Sequence, residues 1–206
     1  MFVSKSLPVF VIADASGSMA HEAKIDALNT AIRELIDACA MGFDEAPTAI
    51  AVIAFGKGPA WVELPLTDAP TARWRDLVSG GRSQIGSAID LARTMIETHA
   101  SETPEPLRPM LVLVSDGSPT DDWRSALQRF DASVLAGCAD RLALAIGPDA
   151  DLDMLTEFVK LEERRVVQAG CERDILDFFR HLPLRPHGAA RQPLDDPEAP
   201  DPRQLA

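Results

Sequence analysis

The strongest constraint on the fold is a series of apolar runs that alternate with segments of helical periodicity. Residues 8–14, 48–55, 109–116 and 141–147 are apolar along most of their length rather than at every second position. Strands of this kind are buried on both faces, as in parallel sheets that are covered by helices on either side. The alternation of such strands with helices predicts a single α/β domain with a doubly wound sheet.

The segments between these strands carry apolar residues at intervals of three and four, which is typical of amphipathic helices. Residues 21–40 form the clearest such segment, and a second one begins near residue 85 with Ile85, Ala88 and Ile89 on one face. Further helices are predicted in four places: near 71–78, from 119–123 onward with acidic residues in the first turn, behind a cap at Asp151, and over 172–182.

Two weaker strands complete the predicted sheet. Residues 60–67 contain Pro65, and proline cannot donate a hydrogen bond to a central ladder, so this segment suits a short antiparallel strand at an edge. Residues 164–169 predict the last strand. The predicted fold class is therefore α/β: a mostly parallel, Rossmann-like sheet with one short antiparallel edge strand and helices on both faces.

The two ends of the chain differ in composition. Residues 1–182 contain all of the predicted helices and strands, which indicates one domain. Residues 183–206 are rich in proline and hold few bulky apolar side chains, so they bury too little surface to offset the entropy of ordering. We predict that they form a flexible tail.

Composition and charge argue against several classes of function. The formal net charge is −12, whereas a nucleic-acid-binding protein needs a basic face. No apolar run approaches the roughly 20 residues of a membrane span. The start of the chain lacks the features of a signal peptide, and Cys39, Cys138 and Cys171 are too widely spaced for a disulfide framework or a zinc cluster. We therefore expect a cytoplasmic protein with reduced thiols.

The most informative polar residues follow the first strand. Asp14, Ser16 and Ser18 occupy alternate positions at its end, and three interpretations compete: a helix cap, a catalytic serine, or a set of metal-binding oxygens. His21 lies close to Ser18 in the sequence, but the chain lacks the G-x-S-x-G nucleophile elbow and the glycine-rich phosphate loops. Ser16 or Ser18, taken singly, also suits a helix cap.

Residues from other strand ends favour the metal interpretation. In open parallel sheets, ligands bind beyond the carboxyl ends of the strands, where the strand order reverses. Asp116 ends the strand at 109–116, and Ser83 stands in a glycine-rich loop just before a helix. Carboxylate and hydroxyl oxygens suit Mg²⁺, or Mn²⁺ or Ca²⁺, rather than zinc or copper.

Such a site would act as a binding switch rather than as a reaction centre. With only two carboxylates, a bound cation keeps positive charge and attracts an Asp or Glu carboxylate from a partner protein. His21 is the only candidate base, so we predict that the protein is not an enzyme. A metal-dependent hydrolase such as a phosphatase, and a structural module with an empty site, remain the alternatives.

These residues also carry a family resemblance. The segment D-A-S-G-S at 14–18 resembles the D-x-S-x-S motif of von Willebrand factor type A domains, and V-L-V-S-D-G at 112–117 resembles their later strand that ends in aspartate. The loop at 80–86 lies where that family supplies a threonine. Up to about residue 182, the chain resembles the bacterial TerY-type proteins of tellurite-resistance and stress operons.

The resemblance implies a metal ion-dependent adhesion site (MIDAS), which usually holds Mg²⁺. It implies five metal-binding residues: Asp14, Ser16, Ser18, Ser83 and Asp116. It further implies a regulator or scaffold in a phosphorylation system, with a protein kinase and a PP2C-type phosphatase as partners.

Two features depart from the family pattern. Ser83 replaces the threonine, which keeps the hydroxyl but loses the methyl group that restricts its rotamer. The loop is also one residue longer, with Arg82 next to the site. A guanidinium there would either weaken metal binding or help to hold an acidic partner.

Overall fold

A computed structural model describes residues 5–41, 47–160 and 165–184. The six strands and five α-helices of this part are β1 (Leu7–Asp14), α1 (Lys24–Ala40), β2 (Thr48–Gly56), β3 (Gly58–Asp68), α2 (Ile85–Glu102), β4 (Met110–Ser115), α3 (Trp123–Ala132), β5 (Asp140–Ile146), α4 (Leu152–Phe158), β6 (Val166–Ala169) and α5 (Glu172–Arg180). Short 3₁₀ segments cover Gly17–Ala23 and Ala69–Thr71. Most of the predicted tail, 185–206, lies outside the described residues, so the domain boundary stays a prediction.

The strands form one sheet in the order β3-β2-β1-β4-β5-β6. All neighbouring strands are parallel except β2 and β3, which are antiparallel. The predicted fold class is confirmed, including the antiparallel edge strand that contains Pro65, although β3 is longer than the segment 60–67. The chain leaves β1 for β2 on one side and later returns to β4 on the other, so the strand order reverses between β1 and β4.

Alternate residues of the central strand face two separate hydrophobic cores. Val9 and Val11 belong to the core covered by α1 and α5. Phe10 and Ile12 belong to the core covered by α2, α3 and α4. All four side chains are fully buried, which explains why this strand is apolar at every position.

The predicted helix at 71–78 is wrong. Beyond the 3₁₀ turn at Ala69–Thr71, this segment runs without regular structure and packs Leu77 into the core beside α1. The side chain of the buried Asn29 accepts a hydrogen bond from the Leu77 N–H at 2.8 Å and donates one to the Leu77 carbonyl at 3.0 Å. The Asn29 amide therefore satisfies the two backbone groups of Leu77, which a helix would have paired with groups four residues away in the chain.

The helix predicted over 21–40 begins later, at Lys24. His21 has an extended backbone, and Glu22 and Ala23 both have a left-handed conformation with φ of 54°. Two consecutive left-handed residues cannot continue a right-handed helix. This turn separates the motif at 14–18 from α1 and fixes where α1 starts.

The caps of the later helices follow the sequence more closely. Asp151 caps α4 by accepting a hydrogen bond from the Met154 N–H at 3.0 Å, as predicted. Asp122 caps α3 in the same way through the Ser125 N–H. Within the described ranges, no helix combines the length and apolarity that crossing a membrane requires.

Candidate metal centre

Two buried carboxylates lie where the strand order reverses. Asp14 is the last residue of β1, and Asp116 directly follows β4, its parallel neighbour. The two residues are 0% and 1% exposed. The structure therefore places both predicted carboxylates at the point where open α/β sheets bind ligands.

Asp14 accepts hydrogen bonds through both of its carboxylate oxygens. Its Oδ1 atom accepts from the Ser16 N–H at 2.8 Å. Its Oδ2 atom accepts from the Ser115 hydroxyl at 3.0 Å and, at a longer 3.4 Å, from the Asp116 N–H. The contact to Asp116 links the ends of the two strands. Ser115 was not among the predicted site residues; its signal is a hydroxyl at the last position of an apolar strand.

The two serines of the first motif connect this buried pair to solvent. Ser18 donates a hydrogen bond from its hydroxyl to Asp116 Oδ1 at 2.6 Å. The hydroxyl oxygens of Ser16 and Ser18 are 3.0 Å apart. Ser16 is buried, whereas Ser18 is exposed. Contacting oxygens thus run from Ser16 through the exposed Ser18 to Asp116, and Asp14 joins them through the backbone N–H of Ser16.

The site contains one cationic side chain that the sequence did not indicate. Lys24 lies with its Nζ atom 3.1 Å from Asp116 Oδ2, and only 13% of its side chain is exposed. A Cβ atom at Gly147, which has a φ of +75°, would lie 3.3 Å from this ammonium. In the helix predicted over 21–40, Lys24 lies outside the apolar stripe. The observed helix instead begins at Lys24.

The electrostatics of the cluster favour an additional positive charge. Burial raises the pKa of Asp14 to about 6, hydrogen bonds from Ser16 oppose the rise, and the negative charge of Asp116 adds to it. A buried carboxylate is costly unless a cation or hydrogen bonds compensate it. Of the two buried carboxylates here, only Asp116 is paired with an ammonium, so the donor set fits a hard divalent cation.

The fifth predicted residue, Ser83, lies in a loop that packs closely against the first motif. The Gly81 carbonyl accepts a hydrogen bond from the Gly17 N–H at 3.2 Å. Gly81 has a φ of +78°, and a Cβ atom there would lie 1.7 Å from the Gly56 carbonyl oxygen. Any side chain at this position would therefore push the loop away from the sheet.

Ser83 itself is 7% exposed, and its carbonyl accepts a hydrogen bond from the Thr120 N–H at 2.9 Å. Among the residues that the structure describes, no hydrogen bond joins its hydroxyl to Asp14, Ser16, Ser18 or Asp116. The structure brings its loop to the site without linking its side chain to the other four.

Asp121 fastens the loop after β4 to the start of α2. Its two carboxylate oxygens accept hydrogen bonds from the Gly86 and Ser87 N–H groups, each at 2.9 Å. The sequence had assigned the acidic residues of 119–123 to the first turn of their own helix. Of two consecutive aspartates, Asp122 caps α3 and Asp121 caps a helix that lies 35 residues earlier in the chain.

The surface beside the site carries cationic side chains. Lys57 and Arg82 are both exposed. A Cβ atom at Gly80 would lie 3.1 Å from Lys57 Cε, and the Arg82 N–H donates to the Gly56 carbonyl at 2.6 Å. His21 is also exposed, and its ring forms no hydrogen bond with Ser18 or with any other described residue.

The described residues hold no cluster of three or more His, Cys, Asp or Glu side chains that would bind a metal ion by themselves. Any ion at this site would therefore depend on the serine hydroxyls, on water, or on an external ligand in addition to the two carboxylates. This is the donor chemistry of an incomplete site rather than of a closed structural one.

Comparison with known protein families gives a match over the same region. The model of the von Willebrand factor type A domain matches residues 9–118. This range contains all five of the predicted metal-binding residues. Among curated proteins, none matches the chain significantly.

Several solved structures share the fold. Proximal thread matrix protein 1 from the mussel byssus, in a structure with a zinc-occupied MIDAS motif, aligns with 86% of this chain and 47% of its own, at a TM-score of 0.65 and 14% identity. A von Willebrand factor type A protein from Catenulispora acidiphila aligns with 86% of this chain and 41% of its own, at a TM-score of 0.65 and 21% identity.

The ArnB paralogue VWA2 from Sulfolobus acidocaldarius aligns with 86% of this chain and 45% of its own, at a TM-score of 0.62 and 18% identity. This chain therefore spans less than half the length of each of these three proteins. At such identities the likeness establishes the fold alone.

Proposed function

The chain belongs to the von Willebrand factor type A domain family, and from this premise we propose that it is a protein-binding module whose contact with a partner depends on a divalent cation. Domains of this family are generally non-enzymatic interaction modules. The observation that carries the proposal is the pair of buried carboxylates, Asp14 and Asp116, at the reversal of strand order, of which only Asp116 is paired with an ammonium.

The proposed ion is Mg²⁺, with Mn²⁺ or Ca²⁺ as substitutes, held by five side chains: Asp14, Ser16, Ser18, Ser83 and Asp116. When bound, the cation would supply a positive charge with room for one more oxygen ligand. The zinc-occupied MIDAS motif of the mussel protein supports the view that this fold accommodates a divalent ion. The buried position of the carboxylates would keep bulk water from screening that charge.

The proposed partner presents an Asp or Glu carboxylate to the cation. Lys57 and Arg82 support this assignment, because both are exposed next to the loops that carry the proposed ligands. The chain has a formal net charge of −12, so it repels acidic partners in general. The two cationic side chains beside this site favour the binding of an acidic surface here rather than elsewhere on the protein.

On the sequence resemblance alone, we place this module in a bacterial stress or tellurite-resistance system of the TerY type. Its role there would be that of a cytoplasmic regulator or scaffold for a protein kinase and a PP2C-type phosphatase. A fold by itself does not specify such partners, so they require a direct test.

The first test is calorimetric titration of the purified protein with Mg²⁺ and with Mn²⁺. We expect binding by the wild type and loss of binding by Asp14→Ala. Asp153→Ala is the matched control, because it removes an exposed carboxylate outside the cluster. Equal binding by all three proteins, or by none, would contradict the proposed metal site.

The second test concerns the partners. The immobilised protein is presented with the purified products of genes adjacent to its own, in Mg²⁺ and in EDTA. We expect a kinase or phosphatase to be retained in Mg²⁺ and released by EDTA, and not to be retained by Asp14→Ala. Retention that is indifferent to both changes would show that any binding does not pass through the metal.

A further inference from the structure

We propose that Lys24 is a built-in competitor of the metal: its ammonium neutralises Asp116 when the site is metal-free and thereby lowers the affinity for a divalent cation. This inference rests on the proposed metal site. It concerns the regulation of that site by a residue that the five-ligand set does not contain.

The ion pair is placed where a competitor would have to be. Lys24 Nζ lies 3.1 Å from Asp116 Oδ2, and the Asp116 side chain is fully buried. The other oxygen of the same carboxylate, Oδ1, accepts a hydrogen bond from the Ser18 hydroxyl. Because solvent screens a pair at such a depth only weakly, its charge acts strongly on any ion bound beside it.

Three segments of the chain build the position of this ammonium. Glu22 and Ala23, both at a φ of 54°, turn the backbone so that α1 begins with Lys24. Gly147 leaves room on another side, since a Cβ atom there would lie 3.3 Å from Nζ. Asp116 closes the third side. A solvent-exposed lysine would need none of these arrangements.

The ammonium also has an alternative place to go. A small cavity of about 60 Å³ borders Lys24 and is lined on its other sides by Glu22, Gly147, Cys171 and Glu172. The two glutamates in this lining offer negative charge to a displaced ammonium. The Lys24 side chain therefore has two anionic environments within reach, Asp116 on one side and the glutamates on the other.

The charge count shows the consequence for the metal. Asp14 and Asp116 contribute two negative charges and Lys24 contributes one positive charge, so the metal-free cluster has a net charge of about −1. A divalent cation would then give a net positive site, to which an acidic partner is drawn more strongly than to a neutral one. Lys24 thus weakens the binding of the metal alone and favours joint binding of the metal and an anionic partner, which is a positive coupling between the two.

The test compares four variants with the wild type in titrations with Mn²⁺ and Mg²⁺, and in thermal unfolding with EDTA or with either metal. Lys24→Met removes the charge and the hydrogen bond, and Lys24→Gln removes the charge but keeps a donor for Asp116. Lys24→Arg keeps the charge. Lys5→Met is the control, because it removes an exposed cation that pairs with Glu105 and contacts neither Asp14 nor Asp116 in the described structure.

We expect Lys24→Met and Lys24→Gln to bind Mn²⁺ about tenfold more tightly than the wild type, because a unit charge near a divalent ion has an effect of this order even at the dielectric constant of water. In EDTA both variants should unfold at a lower temperature, and metal should restore more than this loss. Lys24→Arg and Lys5→Met should keep the wild-type affinity within about twofold.

Affinity that is unchanged or weaker in Lys24→Gln would overturn the inference, because it would show that Lys24 only positions Asp116. A wild type that ignores metal while Lys24→Gln binds it would uphold the inference and contradict the proposed function. Equal metal binding by the wild type and by Lys24→Gln would uphold the proposed function and contradict the inference. Absence of binding in every protein would overturn both.

Discussion

Buried charged side chains occur near both ends of the strands, but they are arranged differently at each end. Near the start of β5, Arg141 is 2% exposed and forms an ion pair with Asp131. Its guanidinium also donates to the Phe158 carbonyl at 3.1 Å and lies 4.6 Å from the centre of the Phe130 ring. Burial lowers the pKa of Arg141, and the hydrogen bond to Asp131 opposes this.

At the carboxyl edge, by contrast, the charges do not balance. Asp14 and Asp116 are both buried, and Lys24 forms an ion pair with Asp116 alone. The charge of the buried Arg141 is balanced by the carboxylate of Asp131, whose side chain is 44% exposed. The cluster around Asp14 retains a negative charge that the described residues do not neutralise. We infer from this difference that a buried charge balanced by its own ion pair supports the fold, whereas a buried cluster with unbalanced charge marks a place for a ligand.

The most severe test of this contrast is Asp14→Asn. The amide keeps the size of the side chain but carries no charge, so we expect metal affinity to fall by at least about 100-fold. The melting temperature in EDTA should stay the same or rise, because a buried charge has been removed. Asp131→Asn is the matched control at the balanced pair and should leave metal titrations unchanged. A clear fall in the EDTA melting temperature of Asp14→Asn would contradict the contrast.

Arg141→Ala tests the other side of the comparison. The substitution removes the packing on two phenylalanine rings and the bond to the Phe158 carbonyl, so we expect a loss of about 2 kcal/mol in the free energy of unfolding. Urea unfolding measures this loss. Metal affinity, measured by titration at a temperature where the variant is folded, should not change. A change of more than about threefold would show that the two sites are coupled.

Ser83→Ala sharpens the outline of the candidate site. If the hydroxyl is a ligand, metal affinity should fall about tenfold, the usual order for loss of a single polar contact near an ion. The melting temperature in EDTA should stay close to that of the wild type, since the hydroxyl forms no hydrogen bond with the described residues. Ser83→Thr should bind metal at least as well as the wild type, because its rotamer is more restricted. Unchanged binding by Ser83→Ala would limit the ligand set to four side chains.

The smallest effect is expected at an exposed charge that belongs to neither site. Hydrogen bonds from the backbone of Gly170 and from Cys171 lower the pKa of Asp174, which caps α5. A carboxyl whose pKa is lower in the folded state stabilises the fold at pH values above its unfolded pKa, about 4, and loses this effect as the pH falls through its folded pKa. Asp174→Asn should therefore melt slightly below the wild type at pH 7, and the difference should shrink as the pH falls through the lowered pKa of Asp174 in the folded state. A difference that grows with acidity would have the wrong sign.

The sequence predicts those parts of the molecule that depend on burial along a single segment. β1 and β4 are recognisable because both of their faces are buried, and their last polar residues therefore identify the edge where Asp14 and Asp116 lie. The antiparallel edge strand is recognisable because Pro65 excludes a central position. These inferences need no knowledge of which segments touch.

The parts that failed depend on contacts between distant segments. Residues 71–78 are not helical because Asn29, 48 residues before Leu77, satisfies the backbone there. Lys24 reaches Asp116, 92 residues away, only because a left-handed turn starts α1 at that residue. The prediction that the first helix begins at 21 failed for the same reason, because periodicity does not reveal the left-handed turn at Glu22 and Ala23. Neither periodicity nor capping preferences carry such information.

The pairing of β1 with β4 has a consequence for how the molecule assembles. Asp14 and Asp116 are 102 residues apart in the chain, and they meet only when β1 and β4 have paired. A chain that is still being synthesised, or one that is partly unfolded, has no such meeting point. A ligand that binds here would stabilise only the completed domain, by mass action on the native state. A partner that docks at this edge would thereby distinguish finished molecules from unfinished ones.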